Sequence, residues 1–304
     1  MIVDSPADFL AAYSARRFPI EAPPTARAAF LVAPNEFSLA AESATDNRYM
    51  AMQGSADPLR ALAQHAALAS ALRESLPTLV FPGDPAAPDG VFPNNVFATV
   101  PGRAIIGAMR HAVRRREAAR ADLRMFFRDL LHYELVDLST EPVVAELTGA
   151  MVIDRGRRIG FCGLSERCDR AGAAAMHRAF GLKLTFCFGL APGEYHANVV
   201  LAQLASRALI VATDGFADPA AAEAIASVYA PRVLRISAAQ KIAFAANAIA
   251  LDADNVWMSA RAAASLLPAQ RQALSDWGLR LRTVDLDEIE KAGGSLRCCV
   301  GEIF

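Results

Sequence analysis

Three side chains in this 304-residue sequence could together carry a covalent hydrolysis: Cys298 in GGSLRCCVGEIF, His196 in EYHANVV and Glu146 in VAELTGA. A thiolate is a strong nucleophile, an imidazole exchanges protons near neutral pH, and a carboxylate can orient that imidazole. Cys298 follows Gly293, Gly294, Ser295 and the cation Arg297, and a nearby positive charge favours thiolate over thiol. Of the five histidines only His196 opens a strand-like run; His65, His111, His132 and His177 lie in helical or helix-flanking sequence and read as surface or cap residues. Glu146 stands before an apolar stretch, where an acid needs a partner. The plainer readings are an exposed loop residue for Glu146 and small core hydrophobes for the cysteines, a reading given to Cys162 and Cys187.

These groups are far apart in the chain, so repeated elements must converge on them. Apolar runs of strand length recur behind a small or amide residue at Asn95 (NVFATV), Gly149 (GAMVI), Asn198 (NVVLA), Asn247 (NAIAL) and Ser295 (SLRCCV), roughly fifty residues apart. Within each interval the signals follow one order. AMVID, IGFCGL, the Ala-rich CDRAGAAAMHRAFG and LKLTFCFG read as strand, strand, helix and strand, with Gly181 as a helix stop. Asp218 and Pro219 open the next helix.

The pattern predicts an α/β fold of about five ββαβ units filling residues 1–304. The strand AAFLVAP (28–34) and the final SLRCCVGEIF would close a ring, and residues 1–27 read as an N-terminal extension. An ordinary pair of α/β domains is the alternative. Such a ring would point Asn94, Asn95, Glu146, His196, Asn198, Asn247, Arg297 and Cys298 at a common centre, while Cys299, one residue on, would face the opposite side of its strand. Residues 84–93 and 34–49 read as long loops, the second as a candidate lid.

Composition narrows the function classes. Hydrophobic residues make up 54% and charged residues 21%, with Lys+Arg 31 against Asp+Glu 32, a balance that supplies no field for nucleic acid or anionic lipid. No apolar run suits a signal peptide or a membrane span, so a cytoplasmic location is expected. Five cysteines without a CxxC pair suggest reduced thiols rather than a disulfide framework or a zinc site. Neither a metal nor an organic cofactor is expected; the partner is a small amino-acid substrate, and a homodimer is admitted.

The strings PNNVF (93–97), GLSERCDRAGA (163–173), AANAIAL (245–251) and DEIEKAGGSLRCC (287–299) resemble, in order and interval, the dimethylarginine dimethylaminohydrolases, arginine deiminases, amidinotransferases and citrulline-hydrolysing proteins of the pentein superfamily. The resemblance runs from about Phe30 to the end. It implies a five-bladed ββαβ propeller with Cys298 as nucleophile, His196 as general acid and base, and Glu146 as the acid beside them. It also implies that Arg167, in Ser165-Glu166-Arg167, binds the substrate's α-carboxylate, with Arg110 as a second arginine. The neighbouring run from Arg114 to Glu117 reads equally as a solvated helix face.

One departure bears on the substrate. Guanidine-hydrolysing relatives carry carboxylates where FPNNVFATV offers Thr99 and Val100 or the amides Asn94 and Asn95, and ELTGA puts Ala150 where a second acid is expected. An amide lacks the charge-assisted bidentate bonds a guanidinium prefers, but matches the carbonyl and N–H groups of a ureido group. The expectation is therefore a cysteine hydrolase of a C–N bond in a linear ureido or amidino amino acid, citrulline-like favoured. Arginine or dimethylarginine hydrolysis, amidino transfer, and a non-catalytic binding role of the same fold are the alternatives.

Overall fold

The apolar runs form short strands that pair into five separate sheets, and the computed structural model describes residues 1–304. One pattern of pairing repeats. Phe97–Val100 pairs antiparallel with Arg103–Ile106, which pairs parallel with Glu134–Asp137. Met151–Asp154 and Ile159–Leu164 form the same hairpin, joined in parallel by Leu184–Gly189. Leu201–Leu204, Ala208–Val211 and Val233–Arg235 repeat it again. In the fourth repeat Asn255–Ser259 lies parallel to Arg280–Val284, and the hairpin shrinks to one bridge between Ile249 and Trp257. The last repeat joins the two ends of the chain: Gly301–Ile303 is antiparallel to Ala28–Val32, which is parallel to Thr78–Phe81.

Local chemistry explains the crossovers. A parallel strand cannot follow a tight turn, so each repeat needs a connecting segment long enough to return the chain, and a helix serves. The helix Arg170–Ala179 begins where Asp169 accepts from the Gly172 amide, and Pro219–Ser227 begins with a proline at its first turn and Asp218 accepting from Ala220. Gly181 ends the first of these with a positive φ of 60°.

Residues 1–27 are stitched into the body of the protein. Ile2–Val3 pairs parallel with Thr185 and Phe186, and the helix Pro6–Ala15, capped by Ser5, stacks the fully buried Phe9 on Phe186 at 4.9 Å.

The residues expected to begin strands instead lie in short helical turns just before them. Pro93–Asn95, Leu147–Ala150, Ala197–Val199 and Leu296–Cys299 each make a single turn, and the strand starts one or two residues later. SLRCC is thus a turn, not a strand, and the expectation that Cys298 and Cys299 face opposite sides of a sheet is corrected: both are buried within one helical turn. A single turn has too few residues to display a helical period, so the strand-like hydrophobicity dominated the reading. These turns pack on one another, Pro93–Asn95 against both Leu147–Ala150 and Leu296–Cys299, and Leu147–Ala150 against Ala197–Val199.

Candidate active site

Where the turns meet, Cys298 is held by two amides. Asn247 Nδ2 donates to Cys298 Sγ at 3.2 Å while its Oδ1 accepts from the Cys298 backbone amide at 3.4 Å, and Asn198 Nδ2 lies 3.6 Å from the same sulfur. Asn247 Nδ2 also donates to the Asn198 carbonyl at 3.1 Å, tying the two turns together. Arg297 turns away from the thiol: it donates to the Val300 carbonyl at 3.0 Å and to Glu302 at 2.8 Å. The charge expected beside Cys298 is therefore spent elsewhere, and the polar partners of the sulfur are neutral.

Glu146 and His196 form a buried pair, His196 Nε2 lying 2.9 Å from Glu146 Oε2 with neither side chain exposed. The other ring nitrogen, Nδ1, has no partner. It lies beside Gly149, where a Cβ would come within 2.7 Å of the ring and 2.5 Å of Asn95 Oδ1, so only glycine admits this approach. Burial alone would raise the Glu146 carboxyl, but Arg167, His196 and Arg114 hold it well below the usual carboxylate range. Burial lowers His196 below an ordinary imidazole, and Glu146 opposes that shift.

Arg167 is buried and engaged by carboxylates: Nη1 reaches Glu146 Oε2 at 3.2 Å, and Nε reaches both Asp46 oxygens at 2.9 Å. Arg110 sits at the rim with its side chain 40% exposed, pairing with Glu166 at 2.7 Å, and donates its backbone amide to Glu146 Oε1 at 3.3 Å. The run from Arg114 to Glu117 is solvated only at Arg115 and Arg116. Arg114 and Glu117 are buried in a bidentate pair at 2.9 and 2.8 Å, and Arg114 Nη1 approaches Glu146 at 3.8 Å. His65, read as a surface residue, is also buried, at 2% exposure.

The segment 34–49, read as a lid, supplies much of the site's roof. Asp46 binds Arg167 and His111 (3.0 Å), and the Ser43 carbonyl accepts from Arg167 at 2.9 Å. At its end Tyr49 Oη donates to the buried Glu194 at 2.5 Å; Arg48 and Lys241 complete that anchor.

The expected shortage of carboxylates is overturned by Asp89, from the segment read only as a long loop. It is 3% exposed and lines the cavity shared by Cys298, Asn95, Arg114 and Arg167. Its Oδ2 accepts from Ser43 Oγ at 2.5 Å, whereas Oδ1 has no partner. Asn95 lines the same cavity, Asn94 is buried next to it in the chain, and the side-chain oxygen of each is unpartnered, while the Asn94 main-chain carbonyl accepts from Thr148 Oγ1 at 2.9 Å. Asp46, Asp89, Glu117 and Glu146 thus surround only two buried guanidiniums, those of Arg114 and Arg167. Asp89 and Arg114 were missed because neither sits at a strand head; the one available signal was an acid four residues ahead of PNN in an otherwise apolar stretch.

Residues 33–304 match the family described as N,N dimethylarginine dimethylhydrolase, eukaryotic. The chain belongs to this family. It is thereby a pentein-superfamily member, in the group whose relatives act on arginine and other guanidino compounds. The relatives that resemble it include YkgA of Bacillus subtilis (strain 168), an uncharacterized protein 23% identical over 242 residues, which span 78% of this chain and 77% of YkgA. Among solved structures, the N-terminal domain of ArgZ, an arginine dihydrolase from the ornithine-ammonia cycle in cyanobacteria seen with substrate bound, is 18% identical with a TM-score of 0.79. The match covers 91% of this chain and 97% of that domain. A dimethylarginine dimethylaminohydrolase, solved as an adduct with 4-chloro-2-hydroxymethylpyridine, is 21% identical with a TM-score of 0.70 over 91% of this chain and all of that one (100%). These likenesses establish a shared mixed α/β fold, and the family's hydrolases act on C–N bonds. No helix is long and apolar enough to cross a membrane.

Proposed function

We propose that this protein hydrolyses a C–N bond in the guanidino group of an arginine-type amino acid, through a covalent intermediate on Cys298. The observation that carries this reading is Asp89 Oδ1, a carboxylate oxygen buried without a partner in the cavity that holds Cys298. Its Oδ2 already accepts from Ser43 and faces Arg114 at 4.0 Å, so the unmet oxygen is Oδ1, which a guanidinium would satisfy with charge-assisted hydrogen bonds. This replaces the preference for an uncharged, citrulline-like substrate, which rested on the amides alone.

In this reading Cys298 attacks the central guanidino carbon as a thiolate, with Asn247 and Asn198 placing the sulfur. Formation of the C–S bond neutralises the guanidinium to a tetrahedral adduct, and His196 delivers a proton to one nitrogen, which departs as the amine when the C–N bond breaks and leaves a cationic S-linked amidino carbon. His196 then takes a proton from water as that water attacks the S-linked carbon, and the thiol leaves with a ureido product. Glu146 keeps the imidazole oriented and more basic. Arg114 and Arg167, with Arg110 at the rim, hold the amino-acid carboxylate, which would compete with Asp46 for Arg167. The five sheets, with their turns packed on one another and the chain ends paired, suit a five-bladed ring enclosing this centre.

A second, compatible reading is that the ureido product is itself hydrolysed at the same site. The unpartnered side-chain oxygen of Asn95, in the cavity with Asp89, favours it, since an amide can accept from ureido N–H groups as well as from a guanidinium. ArgZ, an arginine dihydrolase, offers a precedent on this fold.

The test is to incubate purified protein with arginine, methylated arginines and citrulline, measuring released ammonia or methylamine and the ureido product, beside a Cys298→Ser variant. Turnover of a guanidino substrate, absent from Cys298→Ser, is the expected result. Turnover of citrulline alone would overturn the charge argument, and activity in Cys298→Ser would overturn the nucleophile.

A further inference from the structure

A groove apart from the Cys298 cavity, with no residue in common, carries three arginines over an apolar floor. Arg103 begins a strand, Arg155 and Arg158 lie in the turn of the next hairpin, and Val100, Phe180 and Leu182 lie among them; no acidic side chain lines it. Arg155 is the least compensated. Its side chain is 9% exposed, its guanidinium lies over the Phe304 ring at 4.5 Å and the Phe180 ring at 5.2 Å, and Nη1 donates to the Thr99 carbonyl at 3.0 Å. The carboxylate facing it, Glu302, stands 3.8 Å away and is already bonded to Arg297 at 2.8 Å. Burial accordingly lowers the Arg155 pKa to about 10, the mark of a cation short of counter-charge.

The two rim arginines are fixed but not exhausted. Arg103 donates Nε to Glu134 at 3.0 Å and Nη1 to the Ala179 carbonyl at 3.1 Å, leaving Nη2; Arg158 spends Nε and Nη2 on the Gly181 carbonyl, leaving Nη1. Side chains pinned by their other nitrogens lose little rotamer entropy when they take a ligand. A guanidinium fork suits a planar oxyanion, and the apolar floor suits a hydrocarbon body.

We infer that this groove is a second binding site, for a small organic carboxylate with an apolar body, held by Arg155, Arg103 and Arg158 against Phe180 and Leu182. The inference does not depend on the proposed reaction.

Phenylacetate is the probe, titrated into the full chain by calorimetry, with benzyl alcohol and inorganic phosphate as controls. The expected result is saturable binding of phenylacetate that weakens about tenfold or more in Arg155→Met, since a charge-assisted pair is lost. The double variant Arg103→Gln/Arg158→Gln, altered only at the rim, gives the same reading should Arg155→Met fail to fold. The site is refuted if phenylacetate does not saturate, if neither set of substitutions weakens it, or if benzyl alcohol or phosphate binds as tightly as phenylacetate.

Discussion

Glu146 receives His196 and Arg167 on the same oxygen, Oε2, at 2.9 and 3.2 Å, with Arg114 at 3.8 Å behind them. One carboxylate therefore sets both the basicity of the imidazole and the placing of two guanidiniums. In Glu146→Gln the charge that opposes the burial-induced lowering of His196 is gone, so His196 becomes harder to protonate. The pH–rate limb belonging to His196 should move to lower pH and kcat should fall by about 10²-fold or more. An unchanged limb would detach His196 from the proton transfers.

Asp89 separates charged from neutral substrates. Asp89→Asn keeps the shape and the bond from Ser43 but removes the charge facing the cavity. Activity on arginine-type substrates should drop by about 10²-fold, a few kcal/mol of charge-assisted bonding, while any activity on citrulline changes far less. Equal losses on both would argue that Asp89 holds segment 34–49, through Ser43, rather than the substrate.

Gly149 is the wedge between Asn95 and His196. A methyl group in Gly149→Ala would have to displace the imidazole or the amide, which approach to 2.7 and 2.5 Å of the Cβ position. A misplacement near 1 Å costs on the order of 10²-fold in rate. The loss should appear in kcat, with the circular dichroism spectrum unchanged.

The far anchor of segment 34–49 is Glu194, which takes Tyr49, Arg48 and Lys241. In Glu194→Gln, Lys241 keeps only Asp214, at 2.7 Å and partly exposed. Limited proteolysis should then cut within residues 34–49 faster than in the parent, with a raised KM and a smaller change in kcat.

His65 predicts an acid-sensitive stability. It is buried, its Nε2 has no partner, and burial lowers its pKa from 6.5 to about 4. Because the unfolded chain binds the proton more readily, stability falls as pH drops from the unfolded value towards the folded one. The loss is roughly 3 kcal/mol at most. Denaturant midpoints measured between pH 7 and 4 should flatten in His65→Leu relative to the parent; parallel curves would place the sensitivity elsewhere.

Much of this was readable along the chain. The recurrence near fifty residues anticipated repeated hairpin-and-helix units, and the pairing of 28–32 with 301–303 joins the chain ends in the way the terminal strands suggested. Cys298, His196, Glu146, Asn198 and Asn247 stood out because each heads a repeat, and heads of repeats meet at one end of their sheets. The helical turns at these heads were not readable, because one turn leaves no period. Arg114 resembled a solvated helix because a run of charges looks the same whether its partners are water or a buried carboxylate.

The order of the linear signals pointed to the repeat and singled out Cys298, His196 and Glu146 as candidates, since hydrophobic period and residue chemistry are local properties. The charge of the cavity was not local. It depends on Asp89 and Asp46 arriving from two irregular loops, and on which oxygen remains unpaired once Ser43, His111 and Arg167 have taken their share. That difference rests on long-range hydrogen-bond accounting, which no stretch of chain carries within itself.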